Sequence, residues 1–92
     1  MDTDVFKALS DSNRLRILEM LVDGELCACK LLEAIDVRQP TLSHHMKILC
    51  KCGLVRSRRE GQWSYYSIEP DRLNEIIDYL SGLMEGLKSA KP

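Results

Sequence analysis

Four cysteines stand in two Cys-x-Cys pairs, Cys27/Cys29 and Cys50/Cys52. Thiolates are soft donors, suited to As(III), Sb(III), Cd(II) or Pb(II) rather than to hard or nitrogen-preferring metals. Between the pairs lie Arg38, Gln39, Thr41, Ser43, His44 and Lys47, and beyond them Arg56, Arg58 and Arg59. Gln pairs with adenine, Ser and Thr meet several base edges, and the Thr methyl meets the thymine methyl. Arg38, Lys47 and the three later arginines have the chemistry of phosphate contacts. The pattern is a reader of nucleic acid bracketed by sulfur. His44 and His45 are neighbours, but adjacent helical positions point about 100° apart, which argues against a shared metal. His45, beside Leu42 and Met46, reads as a packing or phosphate-side residue.

The elements that must position these groups are mostly helical. Val5, Phe6 and Leu9 suggest a short first helix, and Asp11 can cap a second that carries Leu15, Ile17, Leu18, Leu21 and Val22 up to Gly24. A third helix is expected over 28–35, a turn over 36–38, and a fourth helix over 39–52. Pro40 suits a first turn, Leu42, Met46 and Leu49 form a buried stripe, and Gly53 stops the helix. Strands are expected at about 54–59 and 62–68, reversing at Glu60-Gly61. Tyr66 and Ile68 should pack inward, with Trp63 and Tyr65 on the other face. A last helix, about 70–88, carries Leu73, Ile76, Ile77, Leu80, Leu83, Met84 and Leu87 as a long apolar stripe. A small domain has little interior to cover such a stripe, so it should pair with a second copy. The expected fold is mainly α with a small β-hairpin. It is a winged helix-turn-helix of about five helices and a two-stranded wing over residues 1–92, with the helix-turn-helix at about 28–52, and is homodimeric.

The net charge of −1 looks wrong for a DNA binder, but its distribution does not. Residues 38–63 hold six cations against Glu60 alone, a surplus of five positive charges, and the acids lie elsewhere. Acidic surroundings disfavour other faces and leave this segment as the favoured one. No run of about 18 apolar residues exists to span a membrane. The start, Met-Asp-Thr-Asp, is not a secretory signal, so a cytoplasmic location is expected. There the four cysteines should rest as thiols.

The segment ELCACKLLEAIDVRQPTLSHHMKILCKCGLVRSRREGQWSYYSI, with FKALSDSNRLRILEML upstream, resembles the ArsR/SmtB family of metal- and metalloid-responsive repressors. The resemblance covers roughly residues 5–80. It implies a homodimer with first and last helices at the interface and repression relieved when an inducer binds; two-fold symmetry in turn leads one to expect a palindromic double-stranded operator. In the arsenic-responsive branch ELC-x-C is followed three residues later by another cysteine, where this chain has Leu32. Cys27 and Cys29 keep their places. Cys52 resembles a ligand position of the cadmium/lead-sensing branch, but the partner position there is Ile48. The last helix carries Asp71, Asp78 and Glu85 without histidine, which speaks against the family's zinc site on that helix. Family members often have Ser at the position of Arg38, whose guanidinium cannot accept the exposed N–H groups of a helix start.

Two residues apart on an ideal helix, the Cys27 and Cys29 side chains diverge by about 200°. They can hold one ion only if the helix start is not helical there. Closing the pair would then distort the third helix and weaken DNA binding. Cys50 and Cys52 either add ligands or are small buried residues. A redox or persulfide trigger at the same thiols is the alternative, since Lys30 and Lys51 each adjoin a cysteine. A thiol oxidoreductase or metal carrier is a distant third. No Cys-x-x-Cys, paired carboxylates, phosphate loop or nucleophile–base set supports it, so no enzyme activity is expected.

Overall fold

Residues 1–90 are described by a computed structural model. The order is α1 (Asp4–Leu9), α2 (Ser12–Leu21), β1 (Leu26–Cys27), α3 (Ala28–Ala34), α4 (Gln39–Lys51), β2 (Val55–Glu60), β3 (Trp63–Ile68) and α5 (Pro70–Ser89). Five helices and a two-stranded wing match the expectation, and the helix boundaries fall within a residue or so of those read from the sequence.

The Asp11 carboxylate caps α2 by accepting from the Asn13 and Arg14 N–H groups at 2.9 and 3.1 Å. Gly53, at φ 86°, ends α4. Its N–H donates to the Cys50 carbonyl and the Leu54 N–H to the Leu49 carbonyl, each at 3.1 Å, closing the last turn as a Schellman motif. Gly61, at φ 61°, makes the hairpin reversal. Val5, Ile17, Leu31, Leu49 and Leu54 are fully buried where α1, α2, α3 and α4 meet the base of the wing. Leu42 and Met46 complete the expected α4 stripe, and Tyr66 and Ile68 pack against the same core. Leu15 and Val22 remain exposed: α2 buries Ile17, Leu18 and Leu21, with Met20 partly buried against the same core.

The sheet has a third strand that the sequence reading missed. Its order is β1-β3-β2, antiparallel, with Leu26 opposite Tyr66 and Cys27 opposite Tyr65. Two residues carry no readable periodicity, and β1 is defined only by its pairing with Tyr65 and Tyr66 of β3. Within the hairpin, Arg58 faces Tyr65 and Glu60 faces Trp63.

The stripe of α5 divides. Ile76 is 8% exposed and Leu73 packs against the core, so both serve their own chain rather than a free face. That corrects the expectation that the whole stripe awaits a partner: the first turns of α5 lie on the body. Tyr79 reaches Phe6 of α1 at a ring separation of 6.0 Å. Arg72 donates from Nε to the Cys52 carbonyl at 2.8 Å. Farther out, Ile77, Leu80, Leu83, Met84 and Leu87 are all exposed, and the helix carries the long axis to 57 Å.

Candidate nucleic-acid interface and thiol sites

One face of α4 is buried and the other is wet. Leu42, His45, Met46 and Leu49 point inward; Gln39, Thr41, Ser43, His44 and Lys47 are exposed, as is Arg38 at the N-cap. Arg38 makes no side-chain cap, in keeping with a guanidinium that only donates. The open N-terminal turns therefore present Gln39, Thr41 and Ser43 with uncapped backbone N–H groups.

His45 is 6% exposed and fixes the helix from behind. The Arg14 guanidinium lies 3.0 Å from its Nδ1, and Arg14 Nε donates to the Ala8 carbonyl at 2.7 Å. Because a guanidinium has no acceptor, Nδ1 accepts and the ring proton sits on Nε2. One side chain of α2 thus ties α1 and α4 together. Nothing local in the sequence marks Arg14 for this role; the partners are 6 and 31 residues away.

The wing arginines are exposed but not equivalent. Arg56 pairs with Glu69 at 3.1 Å. Arg58 donates to both carboxylate oxygens of Glu25, at 2.8 and 2.7 Å, and to Glu60 at 2.8 Å. Its guanidinium lies 4.5 Å from the centre of the Tyr65 ring. Hydrogen bonds from Arg58 hold the Glu25 carboxyl below the usual carboxylate range, and Glu25 and Glu60 in turn raise the guanidinium. In this conformation Arg58 is engaged by acids, contrary to the simple expectation of an open phosphate contact. Among the described residues, Arg59 is the wing arginine with no carboxylate within ion-pair distance. Glu25 was missed because the ion pair joins residues 33 positions apart.

The thiols fall into separate places. Cys27 is the N-cap of α3, in extended conformation at φ −77° and ψ 158°, and its Sγ accepts from the Lys30 N–H at 3.4 Å. Cys29 lies in the first turn. The helical divergence of their side chains does not apply, since Cys27 precedes the helix. The Cα atoms are 5.3 Å apart and the sulfurs are joined as a disulfide, whereas thiols were expected. Both sulfurs therefore can reach one point, as a shared ion requires. Cys29 and Leu32 line a cavity of about 300 Å³ between α3, α4 and the wing, with Gln39, Ser43, Trp63 and Tyr66 on its other walls.

Cys50 and Cys52 do not join this pair. Cys50 is half-buried, and burial pushes its thiol up, with the Ser57 hydroxyl opposing. Cys52 is 8% exposed and its thiol donates to the Leu49 carbonyl at 3.4 Å. Among the described residues no group of three or more His, Cys, Asp or Glu could hold a metal ion. Within one chain, therefore, Cys50 and Cys52 add no ligands to Cys27 and Cys29. Leu32, where a third sulfur was sought, is a partly buried core contact. The donor set fits two of the three sulfurs that trivalent arsenic favours. No helix among the described residues is long and apolar enough to cross a membrane.

The chain is similar to known proteins. The family model described as "Bacterial regulatory protein, arsR family" matches residues 11–57. The chain is 49% identical over 77 residues to the arsenical resistance operon repressor of Staphylococcus aureus, covering 84% of this chain and 74% of that protein. It is 44% identical over 81 residues to an uncharacterised HTH-type transcriptional regulator of Methanocaldococcus jannaschii, covering 87% and 91%. The solved ArsR-like transcriptional regulator from Rhodococcus sp. RHA1 superposes with a TM-score of 0.86 at 29% identity, covering 94% of this chain and 79% of that one.

Proposed function

We propose that this chain, which belongs to the arsR family of bacterial regulatory proteins, is a homodimeric transcriptional repressor released from a palindromic operator when a thiophilic metal or metalloid is captured at Cys27 and Cys29. Its relatives and fold are those of non-enzymatic DNA-binding regulators. The observation that carries the reading is the row Gln39, Thr41, Ser43, His44 and Lys47, exposed on one side of a helix whose other side is buried, beside a basic wing. Such a helix enters the major groove by its N-terminal turns. Gln39, Thr41, Ser43 and His44 would meet base edges. Arg38, Lys47, Arg56 and Arg59 would meet phosphates, and Arg58 too if its acids let go.

The dimer is supported by the exposed apolar row Ile77, Leu80, Leu83, Met84 and Leu87, which a second copy of α5 would cover. Two-fold symmetry then sets two α4 helices about 34–36 Å apart over two half-sites.

Arsenite and antimonite are the favoured inducers, with Cd(II) and Pb(II) behind them. The support is the pair of soft donors at the start of α3 and the Staphylococcus aureus relative named for arsenical resistance. Two thiols replace two hydroxyls of arsenous acid and release two waters. An exogenous thiol or the remaining hydroxyl fills the third position. Cys27 ends the strand that pairs with the wing and opens the helix that precedes α4, so an ion seated there acts on both halves of the DNA face. Ion and DNA would then oppose each other reciprocally.

A redox trigger is the second reading, favoured by the Cys27–Cys29 disulfide. Peroxide would oxidise the two thiols to that disulfide and be reduced to water. Gel shifts on DNA from upstream of the chain's own gene separate the two. Reduced protein is titrated without oxygen, with arsenite in one series and peroxide in the other. Release by arsenite supports the first trigger; release by peroxide alone replaces it with the second.

A further inference from the structure

The pairing of Arg58 has a consequence for how the wing meets DNA. Its guanidinium is held in a fork by Glu25, contacted again by Glu60, and backed by the Tyr65 ring. A bidentate carboxylate occupies the same donors, in the same plane, that a DNA phosphate would use. The local cluster is one cation among two carboxylates, so it presents a net negative charge where a polyanion must approach. Glu25 is also well anchored. It immediately precedes β1, whose Leu26 and Cys27 pair with Tyr66 and Tyr65, so the backbone under the carboxylate is tied to the strand beside Arg58.

We infer that Glu25 is an internal substitute for DNA phosphate: it occupies Arg58 in the free protein and keeps it in non-specific complexes, where the wing gains Arg58 as a phosphate contact only when that carboxylate is removed. Glu25 is thereby a specificity-setting brake on non-specific binding, because backbone contacts are the part of affinity that carries no sequence information. The inference rests on the reading that the wing faces DNA.

The test is the salt dependence of binding to a short mixed-sequence duplex, using the whole chain under reducing conditions and no inducer. Each phosphate contact contributes about 0.9 to the slope of log affinity against log salt. Glu25→Gln keeps the side-chain shape and removes the charge. It is expected to steepen the slope by about 0.9 for each chain on the DNA, and by about 1.8 for a dimer with both wings down. Between about 50 and about 200 mM salt, one such contact costs about 3.5-fold in affinity, so the variant should lose that much more than wild type for each wing engaged. Glu33→Gln, an exposed acid of α3 paired with Lys30, removes the same charge without touching Arg58 and should leave the slope at the wild-type value. Glu25→Gln/Arg58→Gln should return to the wild-type slope, which separates recruitment of Arg58 from a general change in charge.

The inference is overturned by a Glu25→Gln slope equal to or shallower than wild type. It is equally overturned by an Arg58→Gln single variant whose slope falls by about 0.9, since Arg58 would then already be on phosphate. In both cases DNA binding by the wild type leaves the functional reading standing. A wild type that binds no DNA at the lower salt refutes that reading and this inference together.

Discussion

Arg14 holds the DNA-facing helix from behind, and replacing it tests that arrangement. In Arg14→Met the apolar stem survives but the guanidinium is lost. The variant leaves the buried His45 Nδ1 without its donor and removes the bond to the Ala8 carbonyl. An orphaned buried acceptor costs about 1–3 kcal/mol, and the second bond adds about 1 kcal/mol. The expected loss is therefore about 2–4 kcal/mol, a large share of the stability of so short a chain. The assay is urea unfolding followed by circular dichroism, in reducing buffer and at one fixed protein concentration, because association would shift the midpoint. His45→Leu in the Arg14→Met background removes the orphaned acceptor. It should recover part of the loss, giving a coupling between the two sites of about 1–3 kcal/mol. An Arg14→Met unfolding free energy within about 0.5 kcal/mol of wild type, or strictly additive losses, would refute the anchoring role.

Other outcomes follow from the same structure. Asp11→Ala should lower stability by about 1 kcal/mol through loss of the α2 cap. Backbone hydrogen bonding from Arg14 lowers the Asp11 carboxyl, so the folded pKa lies below the unfolded one. Its contribution is therefore present above the unfolded value and is lost as pH falls through the folded value; the wild-type–variant difference in a pH series of melts should shrink toward acid. Leu80→Asp should turn a dimer into a folded monomer by sedimentation, since Leu80 is 49% exposed within the chain; an unchanged mass would assign the dimer contact elsewhere. Lys47→Ala should reduce the salt slope of DNA binding by about 0.9 per chain with sequence preference intact, whereas Gln39→Ala should relax preference at one base pair by about 1–3 kcal/mol.

The sequence carried the helices and the hairpin because each has its own local signal. Asp11 and Gly53 mark ends, and Leu42, Met46 and Leu49 mark a face. The exposed row on α4 was readable as the complement of that stripe. What stayed hidden was made by pairing across the chain. β1 takes its identity from β3, Arg14 from Ala8 and His45, and Arg58 from Glu25. Periodicity does not report such partners. The stripe of α5 was visible as a whole, but only packing distinguishes the buried Ile76 from the open Ile77, Leu80, Leu83, Met84 and Leu87. For the sulfurs, an ideal helical phase misleads because Cys27 lies one residue ahead of the helix.

Control of the α4 face by Cys27 and Cys29 is the claim on which the functional account stands. Arsenite added without oxygen to reduced protein on its operator should free the DNA from wild type. Cys27→Ser should grip the same DNA with the same affinity and keep hold of it at every arsenite concentration that empties the wild type. Release of Cys27→Ser at wild-type arsenite levels would contradict the account.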